Sequence, residues 1–247
     1  MAKTLIQSIL EGKQKKRKFF AVLIDPDTVT PTSLIKTARV CNKAGLDFIL
    51  VGGSLITNGK FEETLTVLKK ETKIPLIIFP GNMLQVSPKA DGILLLSLIS
   101  GRNPDLLIGK HVISAPVIRQ SGLEVLPTGY MLIDGGRITS VSYMSHTTPI
   151  PADKEHIAMS TALAGQQLGL QLIYMDAGSG AIRPVSASMI KTVRQNISIP
   201  LIIGGGIKTA KSAIEACNAG ADMVVIGNAA EKKPELIAEI AKAIHRL

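Results

Sequence analysis

The chain has 247 residues, with 28 Lys and Arg against 19 Asp and Glu, and so a formal net charge of +9. Hydrophobic residues make up 46% of it, an ordinary share for a folded domain, and we treat residues 1–247 as a single unit. Aromatic residues are only 3%, with no Trp, so the stacking platforms of single-stranded nucleic-acid binders are scarce and we expect no nucleic-acid partner.

Short apolar runs recur along the chain and predict eight β-strands. These runs are apolar throughout rather than alternating, which is typical of parallel strands that are buried on both faces. The predicted strands are residues 19–25, 48–52, 75–80, 92–97, 129–134, 172–176, 200–203 and 223–227.

Segments of helical period lie between most of these strands, at residues 33–44, 61–71, 153–168, 186–195, 210–219 and 234–245. A repeated strand–helix unit of this length predicts a (β/α)8 TIM barrel, with an open doubly wound sheet as the alternative. The connection at residues 81–91 is too short for a helix with two loops. We therefore predict that the helix after the third strand is missing or reduced to a turn.

Several features bear on the cellular location of the protein. The first ten residues lack a charged segment followed by a long apolar one, so we expect no secretory signal. No apolar run approaches the roughly 18 residues of a membrane span. Cys41 and Cys217 are isolated and predicted to be reduced and buried. These features favour a cytoplasmic protein, and the basic run at residues 13–18 leaves a contact with the membrane surface open.

Glycine-rich segments follow the last three predicted strands. They are Asp-Ala-Gly-Ser-Gly-Ala at residues 176–181, Gly-Gly-Gly-Ile-Lys-Thr at 204–209 and Gly-Asn-Ala at 227–229. Glycine lets backbone N–H groups approach phosphate oxygens closely, and the loops after strands seven and eight often bind phosphate in barrels. We therefore predict that these backbone N–H groups bind a phosphate at the mouth of the barrel and that Lys208 is a possible further partner. Asp176 places an unexpected negative charge at this site.

Two further strand ends carry oxygen ligands. Asp25 ends the first predicted strand, and one carboxylate beside substrate phosphates suits Mg²⁺. Asp27 is better explained as a turn or capping residue. Ser54 follows the second strand and faces the same mouth, although a turn is its simpler interpretation when it is taken alone. The long segment at residues 128–151 is predicted to cover or line this mouth.

The segments IDPD, VGGS, YMDAGSGA, GGGI and GN at these strand ends resemble the geranylgeranylglyceryl phosphate synthase family, which includes bacterial heptaprenylglyceryl phosphate relatives. The resemblance spans residues 19–228 and implies a TIM barrel without its third helix. It also implies a magnesium-dependent prenyltransferase of ether phospholipid biosynthesis. Such an enzyme joins a polyprenyl diphosphate, here geranylgeranyl diphosphate, to the C3 hydroxyl of sn-glycerol 1-phosphate. The FAVLIDPD form is similar to the branch of larger oligomers, which implies a homo-oligomer.

Residue by residue, the resemblance places magnesium at Asp25 and Ser54. It places glycerol phosphate at Tyr174, Met175, Asp176, Ala177, Gly178, Ser179, Gly180, Gly204, Gly205, Gly227 and Asn228. Two positions depart from the family pattern. Many members have Glu where this chain has Asp176, and many have Lys where it has Leu23. The second departure leaves open how the phosphate charge is balanced.

Prenyl transfer to a hydroxyl requires that the hydroxyl lose its proton as the C–O bond forms. Asp176 is the predicted general base, and Tyr174 is predicted to orient the glycerol. An isomerase or lyase of a phosphorylated sugar or indole precursor is the alternative, with Asp25 and Asp176 as its acid–base pair. A basic lipid- or nucleic-acid-binding protein without catalysis is the third hypothesis, and the clustered strand-end motifs argue against it.

Overall fold

Eight parallel strands form a closed barrel in the computed structural model, which describes residues 3–82 and 84–247. The strands are β1 Phe19–Ile24, β2 Phe48–Val51, β3 Leu76–Ile78, β4 Gly92–Leu98, β5 Glu124–Leu132, β6 Leu172–Asp176, β7 Leu201–Gly204 and β8 Met223–Ile226. β1 pairs with β8 in parallel, with Phe19 opposite Met223, and this pairing closes the sheet. The predicted barrel is confirmed, and the open-sheet alternative is wrong.

Ten α-helices occur in the described part of the chain: α1 Leu5–Gln14, α2 Pro31–Ala44, α3 Phe61–Glu71, α4 Lys110–Ser121, α5 Ser140–Ser145, α6 Glu155–Gln167, α7 Ala187–Asn196, α8 Ala210–Ala219, α9 Asn228–Lys232 and α10 Glu235–Ile244. A π-helical turn, Asp105–Gly109, leads directly into α4. The described residues between β3 and β4 form only turns, which confirms the predicted loss of the helix after the third strand. No helix among the described residues is long and apolar enough to cross a membrane.

The sequence prediction did not include the short helices α5 and α9, and three larger elements also differ from it. β5 begins at Glu124 rather than at residue 129 and contains Pro127, a residue that normally argues against a strand. α1 and α4 were not predicted. Val112, Ile113 and Val117 of α4 are exposed, so the apolar residues of this helix do not lie on one buried face. The helical period of apolar residues on which the prediction depends is therefore missing.

Side chains alternate between the inside of the barrel and the layer under the helices. In β6, Tyr174 belongs to the inner cluster, whereas Ile173 and Met175 pack in the outer one. Asp176 follows Tyr174 by two residues and therefore also faces inward. The two cysteines lie in the outer cluster as predicted, and burial raises the pKa of the Cys41 thiol to about 12.

α1 covers the N-terminal end of the barrel. The backbone N–H groups of Leu5 and Ile6 donate to the Glu124 carboxylate at 2.6 and 2.8 Å, which satisfies the exposed amides of the helix start. Ile9 is buried in the inner cluster. Gly12 lies against the Phe19 ring, where a Cβ would be 2.2 Å from the ring carbon Cζ. The opposite end of the barrel is therefore the open one.

Candidate active site

A cavity of about 880 Å³ opens at the carboxyl ends of the strands. The predicted site residues that line it are Asp25, Ser54, Tyr174, Asp176, Gly178, Ser179, Gly180, Gly205, Gly227 and Asn228. Residues that are distant in sequence thus meet at one mouth. The segment between β5 and α6 lines the same cavity through Arg137–Val141, Tyr143 and Met144, as predicted for this long segment.

Three of the predicted site residues do not line the cavity. The side chains of Met175 and Ala177 pack in the outer layer, and the Ala177 N–H donates to the Gly204 carbonyl at 3.1 Å. Gly204 lies behind the Tyr174 hydroxyl. A Cβ on Gly204 would be 2.3 Å from that hydroxyl oxygen. Met175, Ala177 and Gly204 therefore hold the shape of the site without presenting a side chain to a ligand.

The loops after β6 and β7 form a cradle of backbone amides. Gly178, Gly180 and Gly205 have φ values of +87°, +75° and +77°, which favour glycine. A Cβ on Gly205 would be 2.5 Å from an Asp176 oxygen, so glycine also permits the two loops to touch. Within the described residues, the N–H groups of Ser179 and Gly180 have no acceptor and remain available to an anion.

The loops after β6 and β8 are also joined by side chains. The Ser179 hydroxyl donates to Oδ1 of Asn228 at 3.1 Å. Lys208, predicted as a possible phosphate partner, lines the cavity while its ammonium donates to the Ala181 carbonyl at 2.9 Å. These contacts hold the three glycine-rich loops in one arrangement, which is what a phosphate site needs.

Asp176 is buried at the base of this cradle. Its Oδ1 accepts the Gly178 N–H at 2.7 Å, and its Oδ2 accepts the Tyr130 hydroxyl at 2.6 Å. Burial raises the pKa of the Asp176 carboxyl above its ordinary value, and the hydrogen bonds from Tyr130 and Gly178 oppose that rise. A carboxylate has about four acceptor positions, so it can still accept a proton from a bound hydroxyl.

Tyr130 is a site residue that the sequence prediction missed, as it missed Phe79 and Arg137 in the same lining. Its ring lies with those of Phe79 and Tyr174, at centroid distances of 5.7 and 5.5 Å. Burial, and then the adjacent Asp176 carboxylate, raise the pKa of the Tyr130 hydroxyl well above its ordinary value, so it remains a donor. An aromatic residue inside an apolar strand is ordinarily core, and no local pattern distinguishes one that touches a carboxylate.

Asp25 and Ser54 lie on the other side of the mouth. The Asp25 carboxylate accepts the Asp27 N–H at 2.9 Å, and burial raises the pKa of Asp25. Asp27 binds instead to Thr57, whose hydroxyl donates to it at 2.8 Å, and so fills the predicted turn role.

The donor set at Asp25 and Ser54 consists of one carboxylate and one hydroxyl. No group of three or more His, Cys, Asp or Glu that could hold a metal was found among the described residues. Hard oxygen donors in small number fit Mg²⁺, which keeps several waters and completes its shell with substrate phosphates. The residues therefore fit a magnesium ion that arrives with a diphosphate.

A second cavity, of about 220 Å³, adjoins the mouth. Ser54, Phe79 and Tyr130 line both cavities, so they mark the junction. The second cavity runs between α4 and the segment that replaces the missing helix. Its apolar lining includes Val86, Ile93, Leu95, Leu96, Leu98, Leu106 and Ile118. The same lining also includes Asp105, Lys110 and His111, but most of it is apolar, and such a groove suits an extended hydrocarbon.

Comparisons with known proteins agree over nearly the whole chain. The PcrB family profile matches residues 12–244. The geranylgeranylglyceryl phosphate synthase of Chitinophaga pinensis is 51% identical over 245 residues, which cover 99% of this chain and 97% of that protein. The synthase of the same name from Spirosoma linguale is 52% identical over 232 residues, which cover 94% of this chain and 93% of that protein.

A solved structure is similar over its full length. It is (S)-3-O-geranylgeranylglyceryl phosphate synthase from Thermoplasma acidophilum in complex with sn-glycerol-1-phosphate. It superposes on this chain with a TM-score of 0.94 at 34% identity and covers 100% of both chains. The similarity therefore includes every strand end that contributes to the mouth.

Proposed function

The chain belongs to the PcrB family, and on that premise we propose that it transfers a geranylgeranyl group from its diphosphate to the C3 hydroxyl of sn-glycerol 1-phosphate, with Mg²⁺ as cofactor. It is an enzyme of the prenyltransferase class. The observation that carries the proposal is a pair of adjoining cavities that share lining residues and differ in chemistry. A buried carboxylate and a cradle of backbone amides line the larger one, and the other is an apolar groove.

The cradle supports binding of the acceptor. The N–H groups of Ser179 and Gly180 bind the phosphate, which places the glycerol beside Asp176. Tyr174 lies two residues before Asp176 on β6, deeper in the barrel, and orients the glycerol. Because Asp176 belongs to the loop that binds the phosphate, one segment positions the acceptor and removes its proton.

The transfer step exchanges one C–O bond for another. Asp176 takes the proton from the C3 hydroxyl as that oxygen forms its bond to the first prenyl carbon, and the bond from this carbon to the diphosphate breaks. Tyr130 holds the Asp176 carboxylate in position. Asp25 and Ser54 would hold Mg²⁺, which when bound neutralises charge on the departing diphosphate.

The aromatic cluster lies where the two cavities meet. Phe79 and Tyr174 stack at a centroid distance of 5.3 Å, and Phe79 and Tyr130 line both spaces. Positive charge develops on the allylic carbon as the diphosphate leaves, and aromatic faces attract cations. The rings therefore stabilise the reacting carbon at the junction while the groove holds the rest of the chain.

The isomerase or lyase hypothesis fits the structure less well. Asp25 and Asp176 do face one cavity and could act as an acid–base pair. A small phosphorylated sugar, however, has no use for an apolar groove lined by Leu95, Leu96 and Leu98. The groove therefore argues against a sugar substrate, and the match to the PcrB family and its synthases argues against an indole precursor.

The test is product analysis with the purified protein. It is incubated with geranyl, farnesyl and geranylgeranyl diphosphates and with each enantiomer of glycerol phosphate. We expect the ether product from geranylgeranyl diphosphate and sn-glycerol 1-phosphate, its loss on full chelation and its recovery with Mg²⁺. Absence of product from every pair would overturn the proposed reaction. Turnover that survives full chelation would overturn the magnesium requirement.

A second prediction concerns pH. Tyr130→Phe removes a hydrogen bond that lowers the pKa of Asp176, so that pKa rises further above its ordinary value. A general base acts only when deprotonated, and activity is lost as pH falls through its pKa. We therefore expect the acid limb of the kcat/KM profile to move to higher pH in Tyr130→Phe.

Tyr143→Phe is the matched control for this measurement, because Tyr143 is exposed and lines the same mouth. It should leave the acid limb where it is in the unmodified enzyme. An unmoved limb in Tyr130→Phe would show that Asp176 does not govern the acid side of the profile.

A further inference from the structure

Arg137 places a guanidinium group at the mouth of the barrel. It lies in the segment between β5 and α5 and lines the main cavity. Its Nη1 atom is 3.8 Å from the point where a Cβ on Gly180 would stand, so the group lies over the last glycine of the cradle. Within the described residues it has no acidic partner. A charged group that faces a cavity without a partner is available to a ligand.

The backbone around Arg137 is tied to the cradle on both sides. The Gly135 carbonyl accepts the N–H groups of Ile182 and Arg183 at 2.9 and 3.1 Å. Thr139 is buried, and its methyl carbon is 2.7 Å from the point where a Cβ on Gly178 would stand. The position of Arg137 relative to the loop after β6 is therefore set by direct contacts.

The cradle needs such a cation. A bound phosphomonoester carries close to two negative charges at neutral pH and would lie beside the Asp176 carboxylate. Leu23, near the end of β1, lines the cavity without charge, and Lys208 supplies one ammonium, one of whose N–H groups donates to the Ala181 carbonyl. A single positive charge balances only part of the charge of a phosphate dianion beside a carboxylate. Without a further positive group, the phosphate and the carboxylate would repel each other at short range.

We propose that Arg137 binds the phosphate of the glycerol phosphate acceptor and sets the affinity of the enzyme for it. The inference rests on the proposed function. The planar guanidinium presents paired N–H donors that match two phosphate oxygens, which a lysine ammonium cannot do. Arg137 is a positioning residue, because it contacts the phosphate end of the substrate and not the hydroxyl that reacts.

Arg183 is a matched control in the same part of the chain. It is exposed, as Arg137 is, and follows the loop after β6. Its guanidinium faces Asp134 at 3.9 Å, and its side chain does not line the cavity. Substitution of Arg183 therefore removes the same formal charge from the same rim without removing a cavity group.

The experiment compares Arg137→Gln, Arg137→Lys and Arg183→Gln at constant ionic strength. We expect Arg137→Gln to raise KM for glycerol phosphate by about tenfold or more, the scale of a charged hydrogen bond, with kcat changed by less than about twofold. Arg137→Lys should lie between it and the unmodified enzyme. Arg183→Gln should leave both constants unchanged. Equal effects of Arg137→Gln and Arg183→Gln, or no effect of Arg137→Gln, would overturn the inference.

A second measurement needs no turnover. Inorganic phosphate should raise the melting temperature of the unmodified enzyme and of Arg183→Gln, and should raise that of Arg137→Gln less, because a ligand stabilises the state it binds. If the unmodified enzyme forms no ether product but this difference is seen, the proposed function fails and the phosphate contact stands. If product forms and the three proteins respond equally, the inference alone fails.

Discussion

Asp176→Asn is expected to lower kcat by about 100-fold or more, the usual scale of general base catalysis, with little change in KM for glycerol phosphate. The substitution removes the basic oxygen without changing the size of the side chain. Its remaining oxygen can still accept the Gly178 N–H that Asp176 now accepts at 2.7 Å, and the Tyr130 hydroxyl can turn to accept from the new amide. The cradle should therefore persist while the proton transfer is lost.

Two controls make this result specific. Phosphate-induced stabilisation, measured by melting temperature, should be no smaller than that of the unmodified enzyme if the cradle is intact, because the substitution removes only a charge that repels the phosphate. Asp176→Glu restores a carboxylate and should recover more turnover than Asp176→Asn. If Asp176→Asn instead loses affinity for glycerol phosphate while saturating turnover is unchanged, Asp176 shapes the loop and is not the base.

Asp25→Asn has the other large expected effect, on the diphosphate side of the mouth. We expect kcat/KM for the prenyl diphosphate to fall by about 100-fold, since the carboxylate that would hold Mg²⁺ is lost. The magnesium concentration needed for half-maximal activity should rise, and KM for glycerol phosphate should not. The asparagine oxygen can keep the hydrogen bond from Asp27, so the loop after β1 should retain its form.

Asp27→Asn is the control for Asp25→Asn, because it removes a carboxylate two residues away. Asp27 is absent from the cavity lining and ties its loop to Thr57 and Asn58. We expect a lower melting temperature and an unchanged magnesium titration. A raised KM for glycerol phosphate in Asp25→Asn, with an unchanged magnesium titration, would refute the metal role of Asp25.

The site residues at the strand ends were predictable because each of them ends or follows a short, fully apolar run that marks a buried strand. A parallel barrel brings all carboxyl ends to one mouth, so the closure of β1 on β8 was enough to place Asp25 and Asp176 on the same cavity. The same reasoning predicted the gap after β3, since chain length alone limits what can fill it. These predictions depend on connectivity and need no side-chain geometry.

Other parts could not be predicted because they depend on contacts between distant residues. Tyr130 differs from a core aromatic only by its hydrogen bond to Asp176, 46 positions away. Pro127 is tolerated in β5, where its carbonyl accepts the Gln171 N–H. The proposed role of Arg137 depends on the loop after β6, which lies beside it in space and is distant from it in sequence.

The cap formed by α1 constrains the order in which the molecule can assemble. The Glu124 carboxylate that satisfies its first amides is 119 positions from Leu5. During synthesis, α1 therefore leaves the ribosome well before Glu124 and cannot take its native position until about half of the barrel has followed it. Until then Ile9 and the N-terminal end of β1 remain uncovered, so this apolar surface stays exposed while the first half of the barrel is synthesised.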